Sequence, residues 1–513
     1  MSFSGATYLE LIERGARQNA DRIAVVFGDE EQTFAQVNER ANQFARAFLA
    51  LGAPPRSRVA LLVNNGLFSV PLDLGCVKAG INRVPLNSRL SVPEHVRMLQ
   101  DSKCSMVIFG ADLTERARQL KEALPGLHCF GLGAEIAGDG DFLATAGRQP
   151  AETPRVAVQQ DDIVLTLYTS GTTGVLKAAQ HTQASYAGIC RNVLLNLFPV
   201  QPDDSMLHSA SLIHASGTFV LPCWLRGAKT VILPGFAPAS FLEAIEKYRV
   251  TAINLVPTML QMLLESPDLE RRDFSSLERI IYGASPMPRA VIERAIAKFG
   301  RHRFWQYYGQ TEAPLCLAVL RPEDHQGDLL GACGRPALDV EIQLVDEQGR
   351  EVPDGEPGEI LVRGPTTVAG YFNAPVVTSE TFSADGWVHT RDVGLFDDRG
   401  YLHLKDRTSD MIISGGYNVY PREVEDALLM HPAVLECAVV GAPDEKWVEA
   451  VTAFVALRPG RTAEEAELVD FVASKVASYK KPHRIIFTQD IPKTAVGKLD
   501  RKVLRARLRE SAR

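Results

Sequence analysis

The residues best equipped for chemistry lie in one short run, Thr169-Ser170-Gly171-Thr172-Thr173-Gly174, with Lys177 three positions further on. A phosphate group needs several donors converging on it. Glycines let backbone N–H groups approach closely, hydroxyls add side-chain donors, and a lysine adds positive charge. Placed directly after the apolar run Ile163 to Tyr168, this set suits a triphosphate. It is not the Walker pattern, because Lys177 does not directly follow Gly174. By composition alone the run is equally a plain Ser/Thr/Gly turn. A lone histidine, His214 among small residues, is by itself more often a structural residue than a reactive one.

Tyr168 to Lys177 resembles the phosphate loop of the acyl-adenylate-forming superfamily, which includes acyl- and aryl-CoA ligases, luciferases and peptide-synthetase adenylation domains. Further segments match that family in the same order, so the resemblance covers essentially the whole chain. Gln306-Tyr307-Tyr308-Gly309-Gln310-Thr311-Glu312 is similar to its nucleotide and metal motif. The resemblance implies that Tyr308 borders the nucleotide, Thr311 donates to the α-phosphate and Glu312 holds a Mg²⁺ that bridges phosphate oxygens; a Thr-Glu pair alone reads as a helix start. Tyr282-Gly283-Ala284-Ser285-Pro286 resembles the strand-end turn beside the adenine, and a tight turn would use the same residues. Asp392, in Trp387 to Gly394, matches the carboxylate that accepts from the ribose hydroxyls, with Arg407 as its cationic partner. His214 matches a histidine where acyl pocket and thiol tunnel meet. Ser414-Gly415-Gly416 resembles the loop that enters the site for thioester formation, where paired glycines permit close backbone approach. Trp447 and Tyr479 align with positions that contact the CoA nucleotide. Lys498, in Ile491 to Arg501, is similar to the C-terminal lysine that neutralises charge during adenylation.

The activity so implied is an AMP-forming acid:CoA ligase using ATP, Mg²⁺ and coenzyme A. A carboxylate attacks the α-phosphate, giving acyl-AMP and pyrophosphate, and the CoA thiol then displaces AMP. The family precedent implies that a small C-terminal domain turns about a hinge near Ser409, presenting Lys498 first and Gly415-Gly416 second. Pocket walls are expected around His214, Val256 to Met259, Gly283 to Met287 and Tyr307 to Gln310; these are mostly apolar and small, which points to an aryl, alicyclic or fatty carboxylate. Five positions depart from the family pattern: Leu176, Ala178, Ser211, Arg391 and Ser409 stand where Pro, Gly, Pro, Gly, and Asp or Lys are usual. They put the adenylation half-reaction in more doubt than the thioesterification half. The alternatives are therefore a ligase that only thioesterifies preformed acyl-AMP, a stand-alone adenylating module serving a carrier protein, and a non-catalytic nucleotide-binding homologue. A Rossmann dehydrogenase is disfavoured because Gly131-Leu132-Gly133 does not complete G-x-G-x-x-G.

Positioning these residues requires an α/β scaffold. Apolar runs such as Val59 to Val63, Ser105 to Phe109, Ile163 to Tyr168 and Thr230 to Leu233 alternate with helix-period segments, as expected for strands covered by helices on both faces. One helix is predicted from Thr33, a capping residue, to a stop at Gly52. Past residue 335 the texture turns to short strands and Gly/Pro turns, a β-rich subdomain. Beyond Arg407 a small α+β pattern begins, with a helix opening at Pro421 and another from about Ala463 to Ser478. The expected division is residues 1–408, a large N-terminal domain binding ATP and the acid, and 409–513, a small mobile domain. With 513 residues, 46% apolar and 23% charged, the chain can support both. A net charge of −7 argues against a nucleic-acid binder, and the basic residues from Lys493 to Arg509 read mainly as a solvated helix face. The eight cysteines are scattered singly and read as reduced core residues. No membrane-spanning run or leader pattern is visible, so the cytoplasm is the expected address, and a homodimer is left open.

Overall fold

The computed structural model describes residues 5–136, 139–169, 177–212, 215–407, 409–414, 417–444, 446–494 and 499–511. Among these, nine strands form the largest sheet. Six run parallel, and the strands Ser205–His208, Ala252–Leu255, Arg279–Gly283 and Phe304–Gln310 lie at its centre. Burial of the first three is nearly continuous rather than alternating, as helices on both faces require. Parallel order brings all four carboxyl ends to one edge, which is where open α/β sheets bind ligands. A second sheet of six strands ends in the antiparallel pair Ile163–Thr169 and Lys177–Thr182.

Local chemistry explains the helix starts. Thr33 caps the helix Phe34–Ala50 in a reciprocal capping box with Gln36, and Gly52 beyond its end sits at φ 85°, the left-handed conformation that stops helices. Thr7 with Glu10 starts the helix Tyr8–Gln18 in the same way. Between these helices and the second sheet lies the fully buried Arg83, whose guanidinium pairs with Asp73, donates to the Val164 carbonyl at 3.1 Å and lies over the rings of Tyr8 and Tyr186. All eight cysteines are buried and free.

The β-rich region is a four-stranded antiparallel sheet: Glu341–Val345, Gly358–Arg363, Val388–Phe396 and Leu402–Arg407. The C-terminal region carries the hairpin Ile412–Ser414/Tyr417–Val419, the long pair Val434–Asp444 and Val448–Leu457, and the strand Arg484–Phe487, packed by helices Pro421–Leu429, Glu465–Ala473 and Arg501–Ser511. The first of these opens at Pro421 as expected; the second is shorter than predicted, ending at Ala473 in place of Ser478. The basic C-terminal run is also not uniformly solvated. Arg501 Nη2 donates to both carboxylate oxygens of Glu425 at 2.7 Å, and Arg505 reaches Asp410 at 2.8 Å. Two acidic residues more than 70 positions upstream draw these arginines inward, which helical spacing could not reveal. No helix among the described residues is long and apolar enough to cross a membrane.

Candidate active site

The candidate phosphate loop is flanked on both sides by a β-ladder. Thr169 pairs with Lys177 across the antiparallel strands, so residues 170–176 connect two strands of a hairpin and do not lead into a helix. Ser170, Gly171, Thr172, Thr173 and Gly174 themselves lie outside the described residues, as do His214, Gly415, Gly416 and Lys498. Lys177 points its ammonium over the ring of Tyr371, 5.3 Å from the centroid. Tyr371 in turn donates its hydroxyl to Glu312 Oε1. Burial raises the Tyr371 phenol, and the Glu312 carboxylate raises it further, so it stays a donor.

Glu312 and Thr311 do not begin a helix. They form the turn between Phe304–Gln310 and Ala313–Leu320, where Gln310 pairs with Ala313. Val368 N–H binds the Glu312 carbonyl at 3.0 Å, tying this turn to the segment that carries Tyr371. The phosphate-loop hairpin is tied to the same segment, since Phe372 N–H binds the Ala178 carbonyl at 2.9 Å and Ala179 pairs with Tyr371. One oxygen-donor carboxylate in this position fits a Mg²⁺, a small cation that keeps several waters and takes the rest of its shell from phosphates. Among the described residues no cluster of three or more metal-ligating side chains exists, so no all-protein cage competes with that arrangement.

A second chain of contacts lies beside the first. Tyr308 donates to Asp392 Oδ2 at 2.6 Å, and Asp392 Oδ1 meets Arg407 Nε at 3.2 Å. Burial pushes the Tyr308 phenol far up, with Asp392 adding to the effect. Partial burial works against the Arg407 charge, but Asp392, Asp410 and Glu312 outweigh it and raise its pKa. Arg391, the residue before Asp392, adopts φ 61°, at the irregularity where Gly358–Arg363 meets Val388–Phe396. That is a left-handed conformation, which accounts for the glycine usual at this position in the resembling family and marks Arg391 as strained. Ala284, following Gly283 and preceding Ser285, likewise sits at φ 66°, so the strand-end turn is real. Gly283 is required there by packing, because a Cβ would stand 2.5 Å from the Tyr307 carbonyl.

In the C-terminal region Ser414 is buried and paired with Tyr417 and Val448. The exposed Tyr417 stacks on Tyr479 at 4.6 Å, and Trp447 packs against His483 at 5.3 Å beneath the Lys446 ammonium. The hairpin bearing Ser414 thus joins Tyr479, through Tyr417, to Trp447, through Val448. Two groups result: Thr169, Lys177, Glu312, Tyr308, Asp392 and Arg407 around the sheet edge, and Ser414, Trp447 and Tyr479 on the small domain. Sequence reasoning missed Tyr371, which joins Lys177 to Glu312. Its only signal was an aromatic residue after Gly370 in a β-rich stretch.

A family model described as AMP-binding enzyme matches residues 12–372, and one described as AMP-binding enzyme C-terminal domain matches residues 423–498. The chain is 38% identical over 520 residues to medium/long-chain-fatty-acid–CoA ligase FadD8 of Mycobacterium tuberculosis (strain ATCC 25618 / H37Rv), covering 98% of this chain and 90% of that protein. It is 35% identical over 496 residues to feruloyl-CoA synthase of an Amycolatopsis species, covering 96% and 97%. The crystal structure of the anthranilate CoA ligase AuaEII in complex with anthranoyl-AMP superposes with a TM-score of 0.91 at 30% identity, over 99% of this chain and 98% of that one. With both family models matched in order along the chain, it belongs to the AMP-binding enzyme family, the acyl-adenylate-forming enzymes.

Proposed function

We propose that this AMP-forming acid:CoA ligase activates a hydrophobic carboxylate of the aryl, alicyclic or fatty class, dividing the work between residues 1–408 and 409–513. The observation that carries this reading is a pair of contact chains, Lys177–Tyr371–Glu312 and Tyr308–Asp392–Arg407, with Glu312 near enough to act on the Arg407 charge. Such a site can hold a polyphosphate, a metal ligand and a ribose side by side.

In the first step a carboxylate oxygen attacks the α-phosphorus of ATP and the bond to pyrophosphate breaks. Backbone and hydroxyl donors of Thr169 to Gly174 and the Lys177 ammonium hold the phosphates, Thr311 donates to the α-phosphate and Lys498 neutralises the approach of two anions. A Mg²⁺ on Glu312 would offset charge developing on the phosphates. Asp392 and Arg407 orient the ribose, and Gly283, Ala284 and Ser285 border the base. In the second step the CoA sulfur attacks the acyl carbon, its bond to the AMP oxygen breaks, and the thiol proton leaves to solvent. Ser414, Gly415 and Gly416 line the pantetheine path, Trp447 and Tyr479 bind the CoA nucleotide, and His214 gates the junction with the acyl pocket. The small domain turns near Ser409 between the steps.

The test uses the purified full chain in two assays: pyrophosphate release from ATP across a panel of aryl, alicyclic and fatty acids, and thioester formation from CoA and synthetic acyl-AMPs. Both should proceed. Conversion of acyl-AMP with no pyrophosphate from any acid would refute this reading in favour of a ligase that performs thioesterification alone.

A further inference from the structure

Three buried polar groups beside the proposed acyl pocket take no part in the chemistry above. His208 ends the strand Ser205–His208, immediately before the segment that carries His214. Its Nδ1 lies 2.9 Å from Ser216 Oγ, while its Nε2 is buried with no hydrogen-bond partner among the described residues. On the next strand, pairing of Ala252 with Met206 and Ile253 with Leu207 brings Asn254 beside His208 on the same face. Asn254 Nδ2 is buried and equally without a partner among the described residues. Asn254 pairs with Ile281, and Gly283, two residues on, pairs with Tyr307. A Cβ on Gly283 would stand 2.9 Å from two Tyr307 ring carbons, so the ring lies across this bare position on the face that Asn254 shares. Phe219, edge-on at 6.1 Å, closes the side. Burial pushes the Tyr307 phenol up to about 12, and the amide of nearby Asn254 opposes the rise.

Polar atoms left unpaired in a dry interior are costly unless a ligand satisfies them. We infer that Asn254, His208 with Ser216, and Tyr307 form a hydrogen-bonding floor of the acyl pocket, and that the acid carries a carbonyl or hydroxyl oxygen at the end remote from its carboxylate. This rests on the ligase reading above and narrows its substrate class. Asn254 Nδ2 can only donate, so the partner atom must accept, as an oxygen does. Burial pushes the His208 imidazole down to about 4 and so keeps it neutral, and Nε2 donates or accepts according to its tautomer. One floor therefore serves a ketone or an alcohol.

The test measures kcat/KM for pyrophosphate release with matched acids differing only in the distal oxygen: 3-(4-hydroxyphenyl)propanoate against 3-phenylpropanoate, 3-(4-oxocyclohexyl)propanoate against 3-cyclohexylpropanoate, and 10-hydroxydecanoate against decanoate. The wild-type chain should prefer the oxygenated member of at least one pair by about 10- to 100-fold. Asn254→Leu and Tyr307→Phe should each pull that ratio toward one, and Asn254→Leu should leave the thermal midpoint at or above the wild-type value, which a purely structural role would not. Ratios near one in every wild-type pair, or a preference that both variants leave intact, would overturn the inference while sparing the ligase reading. No pyrophosphate from any acid would sink both.

Discussion

Replacing Tyr371 by phenylalanine removes one hydroxyl from the middle of the Lys177–Tyr371–Glu312 chain and little else. The ring stays, packed edge-on against Phe382 at 5.6 Å, so the Lys177 ammonium keeps its aromatic face. The ladder contact with Ala179 is backbone and also stays. What goes is a hydrogen bond to a carboxylate, worth about 1.5–3 kcal/mol where no water can replace it. Glu312 is only partly buried, so water substitutes in part and the lower end of that range applies, about a tenfold effect in rate. The expected outcome is a tenfold fall in kcat/KM for ATP in pyrophosphate release, with a higher Mg²⁺ concentration needed for half-maximal rate. Thioester formation from synthetic acyl-AMP, which has no pyrophosphate left to hold, should change less than about threefold. Equal losses in the two assays, or an unchanged Mg²⁺ requirement, would refute the assignment of Tyr371 as the residue that orients Glu312.

Other outcomes follow from the same geometry. Lys498→Ala should slow pyrophosphate release far more than thioester formation from acyl-AMP; equal slowing would remove it from the first step. At Arg391, φ 61° disfavours any side chain and disfavours β-branched ones most, so Arg391→Val should lower the thermal midpoint well below that of Arg391→Gly, a gap of about 1–2 kcal/mol. Asp397 closes the turn between the strands that carry Asp392 and Arg407. Burial opposes its charge, but the N–H groups of Tyr401 and Arg399, the Arg399 guanidinium and His403 prevail and hold its carboxyl down at about 2. Because the folded value lies below the unfolded one, its stabilising contribution is present above about pH 4 and lost as pH falls through 2. The midpoint difference between wild type and Asp397→Asn should therefore be largest near neutrality and shrink toward zero at pH 2; a constant difference would refute it.

What could be read from the sequence was whatever short range decides. Thr33, Gln36 and Gly52 announce a helix because all its end contacts lie within a few residues. The apolar runs gave the strands, and the motif order gave the family. Sheet order was hidden, because which strands become neighbours depends on burial summed over the whole chain. The same holds for the links within the site: Tyr371 lies 59 positions from Glu312, and Tyr308 lies 84 from Asp392. The local preference of the Thr311-Glu312 pair, taken alone, is overridden for a related reason. Its residues favour a helix start locally, but the strand Ala313–Leu320 folds back on Phe304–Gln310 and imposes a hairpin. Asn254 and His208 gave no signal, since each is a polar residue in a short buried strand whose meaning appears only when the strands align.

The clamps on the C-terminal helix bear on how the small domain can travel. Arg505 grips the Ser409 carbonyl and Asp410, and Arg501 joins Asp410 to Glu425, so the chain is bolted to the small domain almost as soon as it arrives. On the other side Arg407 is held by Asp392. Between those anchors lies a leash of very few torsions. For the rotation proposed near Ser409, a leash that short permits an arc and not a search, with few docked poses and little entropy lost on reaching either. One end of the leash is also the arginine assigned to the nucleotide. On the proposed assignment, occupancy of the ribose position and the attitude of the small domain share that residue, and emptying the first is expected to slacken the second.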